Sequence, residues 1–431
     1  MAHQKEIANR PGIGVPGIHP RVDQEAVATE PTTAPTRSAR PLYVAYCAGI
    51  TTNALSTMMK VGVPLWAISL SMSSTGIGFA VGALGVMPFL FAIHGGVLMD
   101  RFGTRRVNVL FAAVATIAIL LYPVLPWGSA VIALQLIIGL PVNMGWMGAQ
   151  TMIAHYAPGD TTIIGRFTIA ARVGNLIAPV LTGVAWDLSG PVGMFLLMGS
   201  VAFASLLSFL LSPKLTKSDH GGAAVTARDL VPRFSEYVQA FSMIALPAVA
   251  FVVAITFLRI SSSAIQGSFY VVYLQGIGIT GTLIGVLMAV GDAFGLFGAG
   301  VAGWIEKKLR PHWTALLFIA MSIAFVSITP FLGGLLALLF AASALRGWGQ
   351  GLSQPVMFSI LSRAVTREQQ GRSIGLRSTA NRLASMGVPP LMGIAVDWVG
   401  LELAFAVTGG VLIGLAAILG LVISRIRGFK T

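Results

Sequence analysis

Apolar stretches of roughly 20 residues recur along this chain, and they constrain its fold more than any other sequence feature. A helix of about that length crosses the hydrocarbon core of a bilayer and satisfies its own backbone hydrogen bonds there. Charged residues make up only 10% of the 431 residues, whereas soluble domains carry about 25%. The sequence therefore predicts an all-α integral membrane protein.

About 12 stretches have the length and hydrophobicity of a membrane span. A polar interruption at 213–240, the expected cytoplasmic linker, divides them into six and six, which predicts two six-helix bundles at 41–212 and 241–424. Residues 1–40 contain no apolar run and are predicted to form a disordered cytoplasmic tail, with a second, short tail at 425–431. The expected spans are 42–66, 74–98, 106–125, 129–153, 164–186, 193–212, 243–272, 279–302, 313–332, 334–357, 373–396 and 402–424.

Lys and Arg are distributed unevenly between the predicted loops. The loops on the side of the chain ends carry nearly all of them, whereas the opposite loops carry the acids Asp187, Asp397 and Glu402. Because cytoplasmic loops hold the excess of Lys and Arg, we expect both termini in the cytoplasm and a bacterial inner (plasma) membrane. The same asymmetry accounts for most of the net charge of +13, so the charge does not predict a nucleic-acid partner.

The fifth and eleventh spans resemble each other. RVGNLIAPVLTGVAWDLSGPVGMF at 172–195 and RLASMGVPPLMGIAVDWVGLELAF at 382–405 match in one constant register. This match indicates that the two halves are pseudo-symmetric repeats, an architecture typical of secondary transporters with a site between the halves at mid-membrane. The matched pairs are Arg172 and Arg382, Pro179 and Pro389, Gly183 and Gly393, Asp187 and Asp397, Gly190 and Gly400, and Phe195 and Phe405.

The loop between the second and third spans reads GGVLMDRFGTRR at 95–106. It resembles the G-x-L-x-D-R-x-G-x-R-R signature of the major facilitator superfamily, and the resemblance of the chain extends over 42–424. The resemblance implies a fold of two rocking six-helix bundles, with this loop in a latch on the cytoplasmic side. A positively charged turn without a conformational role is the alternative. The matching residues are Gly96, Leu98, Asp100, Arg101, Gly103, Arg105 and Arg106, and the incomplete second-half counterpart at 302–310 carries Glu306.

A second resemblance lies in the fifth span. GRFTIAARVGNLIAPVLTG at 165–183 is similar to the motif of fifth spans in drug–proton exporters, although Ala178 stands where that motif has Gly. Gln135 in the fourth span also departs from the arginine that such exporters carry. Packing of small residues and a proline kink explain the same pattern equally well. The motif residues are Gly165, Gly174, Pro179 and Gly183.

Four ionisable residues are predicted inside spans, Lys60 in the outer part of its span and the others near the middle, where each costs about 2.5 to 3.5 kcal/mol and therefore needs a reason. Arg259, Arg346 and Lys60 are cations, and Asp292 is the single acid well inside a span. Excess cations favour an anionic substrate, because the Arg fork fits carboxylate or phosphate. Lys60 either faces the cavity or reaches toward the outer surface. Asp292 is either the proton-coupling residue or a fixed partner of an arginine.

Other ionisable and polar residues complete the candidate set. Arg172 and Arg382 are repeat-related and are predicted to have a structural role, whereas Arg166 and Arg377 reach the membrane surface. Uncharged polar and aromatic residues inside spans either shape the site or join helices. The candidates for substrate binding are Asn53, Asn143, Trp146, Gln150, Gln266, Tyr270, Trp348 and Gln350, together with Arg259, Arg346 and Lys60.

These features predict a secondary transporter that moves a small organic anion, proton-coupled or by exchange. The alternative is a proton-driven multidrug or metabolite exporter, which the fifth-span motif favours. A membrane enzyme has no support, because the sequence offers no nucleophile–base pair, metal-ligand cluster or phosphate loop. We therefore expect no catalytic residue, metal or cofactor, and a monomer whose partners are its substrate and the lipid bilayer.

Overall fold

The computed structural model describes residues 39–213 and 242–425, and within these ranges the chain forms helices without a β-strand. The expected tails at 1–40 and 425–431 and the expected linker at 213–240 lie almost entirely outside the described residues. The predicted all-α fold is confirmed.

The described helices follow the order of the predicted spans. The first half comprises α1 (Ala39–Ser69), α2 (Ser74–Phe102), α3 (Thr104–Leu120), α4 (Gly128–Tyr156) and α5 (Thr161–Leu211). The second half comprises α6 (Pro247–Ile265), a π-helical turn (Gln266–Tyr270), α7 (Val271–Gly276), α8 (Gly281–Glu306), α9 (Pro311–Ser327), α10 (Leu336–Ala364), α11 (Arg367–Val399) and α12 (Leu401–Arg425).

Two repeat-related glycines separate consecutive spans in the two halves. Gly190 interrupts α5 with φ of 61° and ψ of −162°, so that α5 supplies two spans. Gly400, its repeat partner, has φ of 84° and lies between α11 and α12. A positive φ strains residues that carry a Cβ, which explains glycine at both positions. With α6, the π-helical turn and α7 forming one continuous span, the described residues provide six spans in each half.

Six of the described helical segments are both long enough and apolar enough to cross a membrane. Other spans are less apolar, and among them α1, α10 and α11 carry polar residues that line the interior described below. A helix that contributes to a polar site loses hydropathy on the face that lines it. The polar residues that line the interior therefore account for the lower hydropathy of these helices.

The repeat is also visible in the core. Phe195 and Phe405 are repeat-related, and both are fully buried. Phe195 stacks on Tyr122 with ring centroids 4.6 Å apart, and Phe405 meets Tyr273 at 6.4 Å. Each half thus anchors an aromatic side chain from its sixth span against a tyrosine of its own core.

The two halves meet through α2 with α11 and through α5 with α8. Both contacts lie near the starts of α2 and α8, on the side of the molecule away from the chain ends. Small residues permit the close approach: Gly78 packs on Pro389, and Gly285 packs on Pro179. The halves are therefore in close contact on this side.

Two repeat-related carboxylates reinforce these contacts. Asp397 on α11 accepts hydrogen bonds from the backbone N–H groups of Ser74 (3.1 Å) and Thr75 (2.9 Å) at the start of α2. Asp187 on α5 accepts from the backbone N–H groups of Gly281 (2.9 Å) and Thr282 (2.7 Å) at the start of α8. The first N–H groups of a helix lack partners within the helix and carry partial positive charge. Each carboxylate thus binds the N-terminus of a helix in the opposite half.

Neutralising these acids should loosen the closed side. We expect Asp187→Asn and Asp397→Asn each to weaken the contact by up to about 1 kcal/mol, because the carboxylate charge at a helix N-terminus is lost. The measurement is the labelling rate of Ala264→Cys by a membrane-impermeant maleimide applied from that side, with Cys47 replaced by Ser. Each substitution should raise the rate up to about five-fold.

Asp160→Asn provides the matched control. Asp160 caps the start of its own helix, α5, by accepting from the N–H groups of Thr162 and Ile163, both at 3.0 Å. Equal acceleration by Asp160→Asn would show that any lost cap increases labelling and would contradict a specific role for the contacts between the halves.

Candidate functional site

Three cavities lie side by side within the helical body. The inner cavity has a volume of about 510 Å³, the central cavity about 470 Å³ and the polar cleft about 110 Å³. Asn53 and Trp146 line both the inner and the central cavity. Arg259 lines both the central cavity and the polar cleft, and Arg172 lines both the cleft and the inner cavity. The three cavities therefore form one connected candidate site with shared walls.

The inner cavity extends toward the side of the chain ends. Its wall includes Ile153, close to the end of α4 at Tyr156, and Ile164, close to the start of α5 at Thr161. The acids that join the halves lie at the opposite ends of the spans. The site is thus closed on one side and reaches the helix ends on the other.

The π-helical turn in the seventh span positions two polar residues. Gln266 accepts a hydrogen bond from Arg346 Nη1 at 2.6 Å, and the Tyr270 hydroxyl pairs with the Ser343 hydroxyl at 2.8 Å. Both partners lie on α10. Isolated π-helical turns are frequent at functional sites. Here the turn directs a glutamine and a tyrosine of the seventh span toward α10.

Arg346 occupies a tight space between α8 and α10. Only 4% of its surface is exposed, and its Nε has no hydrogen-bond partner among the described residues. Gly291 on α8 lacks the Cβ that would overlap the guanidinium group. The adjoining Gly295 and Gly351 allow the two helix backbones to touch. The glycines of α8 therefore create the space that holds the arginine.

Arg259 is held by a reciprocal contact with α10. Its Nη1 donates to Gln350 Oε1 at 3.3 Å, and Gln350 Nε2 donates back to the Arg259 carbonyl at 2.9 Å. The Arg259 Nε has no hydrogen-bond partner among the described residues. The amide thus orients the guanidinium group without neutralising its charge.

Arg382 connects the two halves at the central cavity. Its Nη2 donates to Asn143 Oδ1 on α4 at 2.8 Å. Its repeat partner Arg172 is exposed and lines the inner cavity and the polar cleft. The sequence predicts a structural role for this pair, and the structure places both guanidinium groups in the walls of the site. The sequence feature that indicated a common role for the two arginines was their matching position in the repeat.

The electrostatics of the site follow from these contacts. Arg259, Arg346 and Arg382 donate to neutral amides rather than to carboxylates. Asp292 lines the polar cleft and is exposed to it. The ion pair found among the described residues joins Arg363 to Glu306 at 3.0 Å and lies away from the cavities. The site therefore contains an excess of positive charge.

The structure brings most of the sequence-predicted candidates together. Two predicted candidates do not line the three cavities. Tyr270 is fully buried beside Ser343, and Trp348 packs against Phe297, whose side chain is 59% exposed. Sequence reasoning missed Phe167, Asn175 and Ser263, which line cavity walls but carry no charge or motif as a signal. The predicted candidates in the walls are Asn53, Lys60, Asn143, Trp146, Gln150, Arg259, Gln266, Asp292, Arg346 and Gln350.

The predicted latch loop forms a sharp turn between α2 and α3. Gly103 is the single residue between them and has φ of 89°, which only glycine adopts without strain. Arg105 Nη2 donates to the Leu210 carbonyl at 2.6 Å, at the end of α5. Arg101 lies over the ring of Phe102, and Arg106 is exposed. The surroundings of Gly96 and Asp100 lie outside the described residues.

The counterpart loop and the fifth-span motif make other helix contacts. Glu306, at the end of α8, accepts from the Ser359 hydroxyl at 2.6 Å beside its ion pair with Arg363. Gly174 packs on Ile50 of α1, and Gly183 packs on Gly281 of α8. A Cβ at Gly165 would meet open space, and Pro179 packs on Gly285. Gly174, Pro179 and Gly183 of the fifth-span motif therefore lie at close contacts between helices.

Comparison with known proteins identifies the family. The model of the Major Facilitator Superfamily matches residues 45–337 and 252–428. The chain belongs to the major facilitator superfamily. It is 23% identical over 394 residues to the enterobactin exporter EntS of Salmonella typhimurium, covering 86% of this chain and 90% of that protein.

Two further similarities concern part of the chain and its fold. A gentisate transporter of Corynebacterium glutamicum is 32% identical over 127 residues, which is 28% of each chain. The crystal structure of the nucleoside transporter NupG superposes with a TM-score of 0.73 at 12% identity, covering 90% of this chain and 100% of that chain. The predicted superfamily and its fold of twelve transmembrane helices in two pseudo-symmetric bundles are confirmed. This superfamily member is a multi-pass membrane transporter.

The close contact between Gly291 and the Arg346 guanidinium group can be tested by adding a Cβ at Gly291. Gly291→Ala should displace the guanidinium group and cost about 1–3 kcal/mol of stability, seen as a lower melting temperature of the purified transporter. Gly300→Ala on the same helix is the control, since a Cβ there meets nothing within 4 Å. Replacing Arg346 by Ala in the Gly291→Ala protein should recover part of the loss, because the overlap disappears. Equal loss in both alanine variants would contradict this assignment.

Proposed function

We propose that this transporter moves a small, carboxylate-like organic anion across the membrane by alternating access. The observation that carries the proposal is the bonding of the central arginines to neutral amides while they line the cavities. A guanidinium group has five N–H donors, and an amide oxygen engages one of them. Arg259 and Arg382 therefore keep donors for an anion.

The membrane makes this arrangement costly in the absence of a substrate. A buried cation without an opposite charge is unfavourable, and the nearby acid, Asp292, is one against several cations. A bound carboxylate restores the balance through charge-assisted hydrogen bonds. The similarity to a gentisate transporter supports the same class, because gentisate is itself a carboxylate.

Alternating access is supported by the asymmetric closure of the site. The carboxylates Asp187 and Asp397 join the halves on one side, and the inner cavity reaches the helix ends on the other. The excess of Lys and Arg in the chain-end loops supports a cytoplasmic position of both termini in a bacterial inner membrane. We therefore propose an inward-facing state of a monomeric transporter, with the loop at 95–106 as its cytoplasmic latch.

Removing the cavity cations should abolish anion transport. We expect Arg259→Gln and Arg382→Gln each to reduce carboxylate uptake into proteoliposomes at least about 30-fold, because a lost charge-assisted contact in a buried site costs roughly 2–5 kcal/mol. The exposed Arg166 is replaced by Gln as the control. A panel of mono- and dicarboxylates, first screened by thermal stabilisation, supplies the substrate. Wild-type uptake in both charge variants would refute the anion assignment.

Asp292 is proposed as the proton-coupling residue. The acid lies in the polar cleft beside Arg346 and Arg259, where its charge competes with a substrate carboxylate for the same cations. We expect Asp292→Asn to abolish uptake driven by a pH gradient while exchange of labelled for unlabelled substrate continues. Retention of pH-driven uptake would exclude this role, and loss of exchange as well would assign Asp292 to positioning of the arginines.

Export of a drug or metabolite is the second candidate function. It is supported by the similarity to an enterobactin exporter over most of the chain and by the contact of the fifth-span motif with α8. The direction of transport in right-side-out and inside-out vesicles distinguishes the two. Drug resistance that survives Arg259→Gln would favour this alternative.

A further inference from the structure

An aromatic stack forms part of the wall of the site. The rings of Trp146 and Phe167 lie parallel within 12°, with centroids 5.7 Å apart. Tyr46 also packs on Phe167, with ring centroids 6.3 Å apart. Parallel contact with a buried neighbour fixes the plane of the Trp146 ring. Trp146 itself is half-buried and lines both large cavities.

The cations lie close to this aromatic wall. Asn143, which holds Arg382, precedes Trp146 by three residues on α4, so the two share a helix face. Arg172 lines the inner cavity together with Trp146. A ligand in contact with the Trp146 ring would therefore have a guanidinium group within reach in either cavity.

The central cavity also has an apolar side. Val81, Leu84 and Pro88 of α2 line it, and Val142 of α4 lies beside them. A short dicarboxylate would leave this surface in contact with water, which is unfavourable for apolar groups. The volume of about 470 Å³ accommodates a ring-sized ligand. The lining thus fits an anion with an apolar body.

We propose that the substrate is an aromatic carboxylate, whose ring packs on Trp146 while its carboxylate pairs with the cavity cations. This inference rests on the anion transport proposed above and specifies its substrate class. A flat ring gains from contact with a fixed indole, and the adjoining guanidinium groups bind the charged end. Neither part of the site alone distinguishes an aromatic acid from another anion or from a neutral aromatic.

Three probes separate the two contributions in binding to the purified transporter. 4-Hydroxybenzoate carries the ring and the charge, cyclohexanecarboxylate the charge without aromaticity, and phenol the ring without the carboxylate. We expect 4-hydroxybenzoate to bind about ten-fold more tightly than cyclohexanecarboxylate, and phenol more weakly than both. Isothermal titration calorimetry measures the three affinities.

Substitution of the indole tests its part directly. Trp146→Leu should remove the ten-fold preference while cyclohexanecarboxylate still binds, and Trp146→Phe should retain most of the preference. Trp304→Leu is the matched control, because Trp304 is 62% exposed and lies outside the cavities. Trp146→Phe keeps the test valid if the leucine variant fails to fold.

The outcomes separate this inference from the proposed function. Equal binding of the two carboxylates, or a preference unchanged in both Trp146 variants, overturns the aromatic class and leaves anion transport intact. Binding of phenol as tight as that of 4-hydroxybenzoate overturns the anion assignment and with it the aromatic acid. Failure of both carboxylates to bind overturns both proposals.

Discussion

Three guanidinium groups without a carboxylate partner lie in the middle of this membrane protein, and the helices around them are packed to hold that charge. Arg259, Arg346 and Arg382 are each oriented by an amide, and Gly291 gives Arg346 the space it needs. An amide fixes direction without removing charge, so the cavity walls remain positive. The polar cleft, the π-helical turn and the close backbone contact of α8 with α10 all serve this arrangement.

The internal repeat produces the same carboxylate-to-helix contact in both halves. Asp187 and Asp397 occupy equivalent positions, and each caps the first helix turn of a span in the opposite half. A helix N-terminus offers N–H groups without partners inside the helix, and these groups bind the carboxylate. The contact between the halves therefore needs no Lys or Arg side chain on this side of the molecule. The same repeat places Arg172 and Arg382 at the cavities, on the same two helices as Asp187 and Asp397.

Much of the architecture could be predicted from local sequence. Span length, the Lys and Arg asymmetry and the superfamily signature predicted the twelve spans, and the register of 172–195 with 382–405 revealed the repeat. Predictions for the site were less complete. Arg259 and Arg346 were identified by their depth in a span, whereas Trp348 is equally deep but packs on Phe297. Depth is a property of the sequence, but the direction of a side chain around the helix depends on which neighbours cover it.

The membrane spans, their two related halves and the deep cations follow from the amino-acid sequence alone, because hydrophobic length and the cost of buried charge act along the chain. The partners of those cations depend on how the helices pack together, since Gln266, Gln350 and Asn143 come from other helices far apart in sequence. The folded structure was needed to identify them. It also decided that Asp187 and Asp397 cap helices of the opposite half. Such pairings depend on how helices cross, and the periodicity of a single helix carries no information about them.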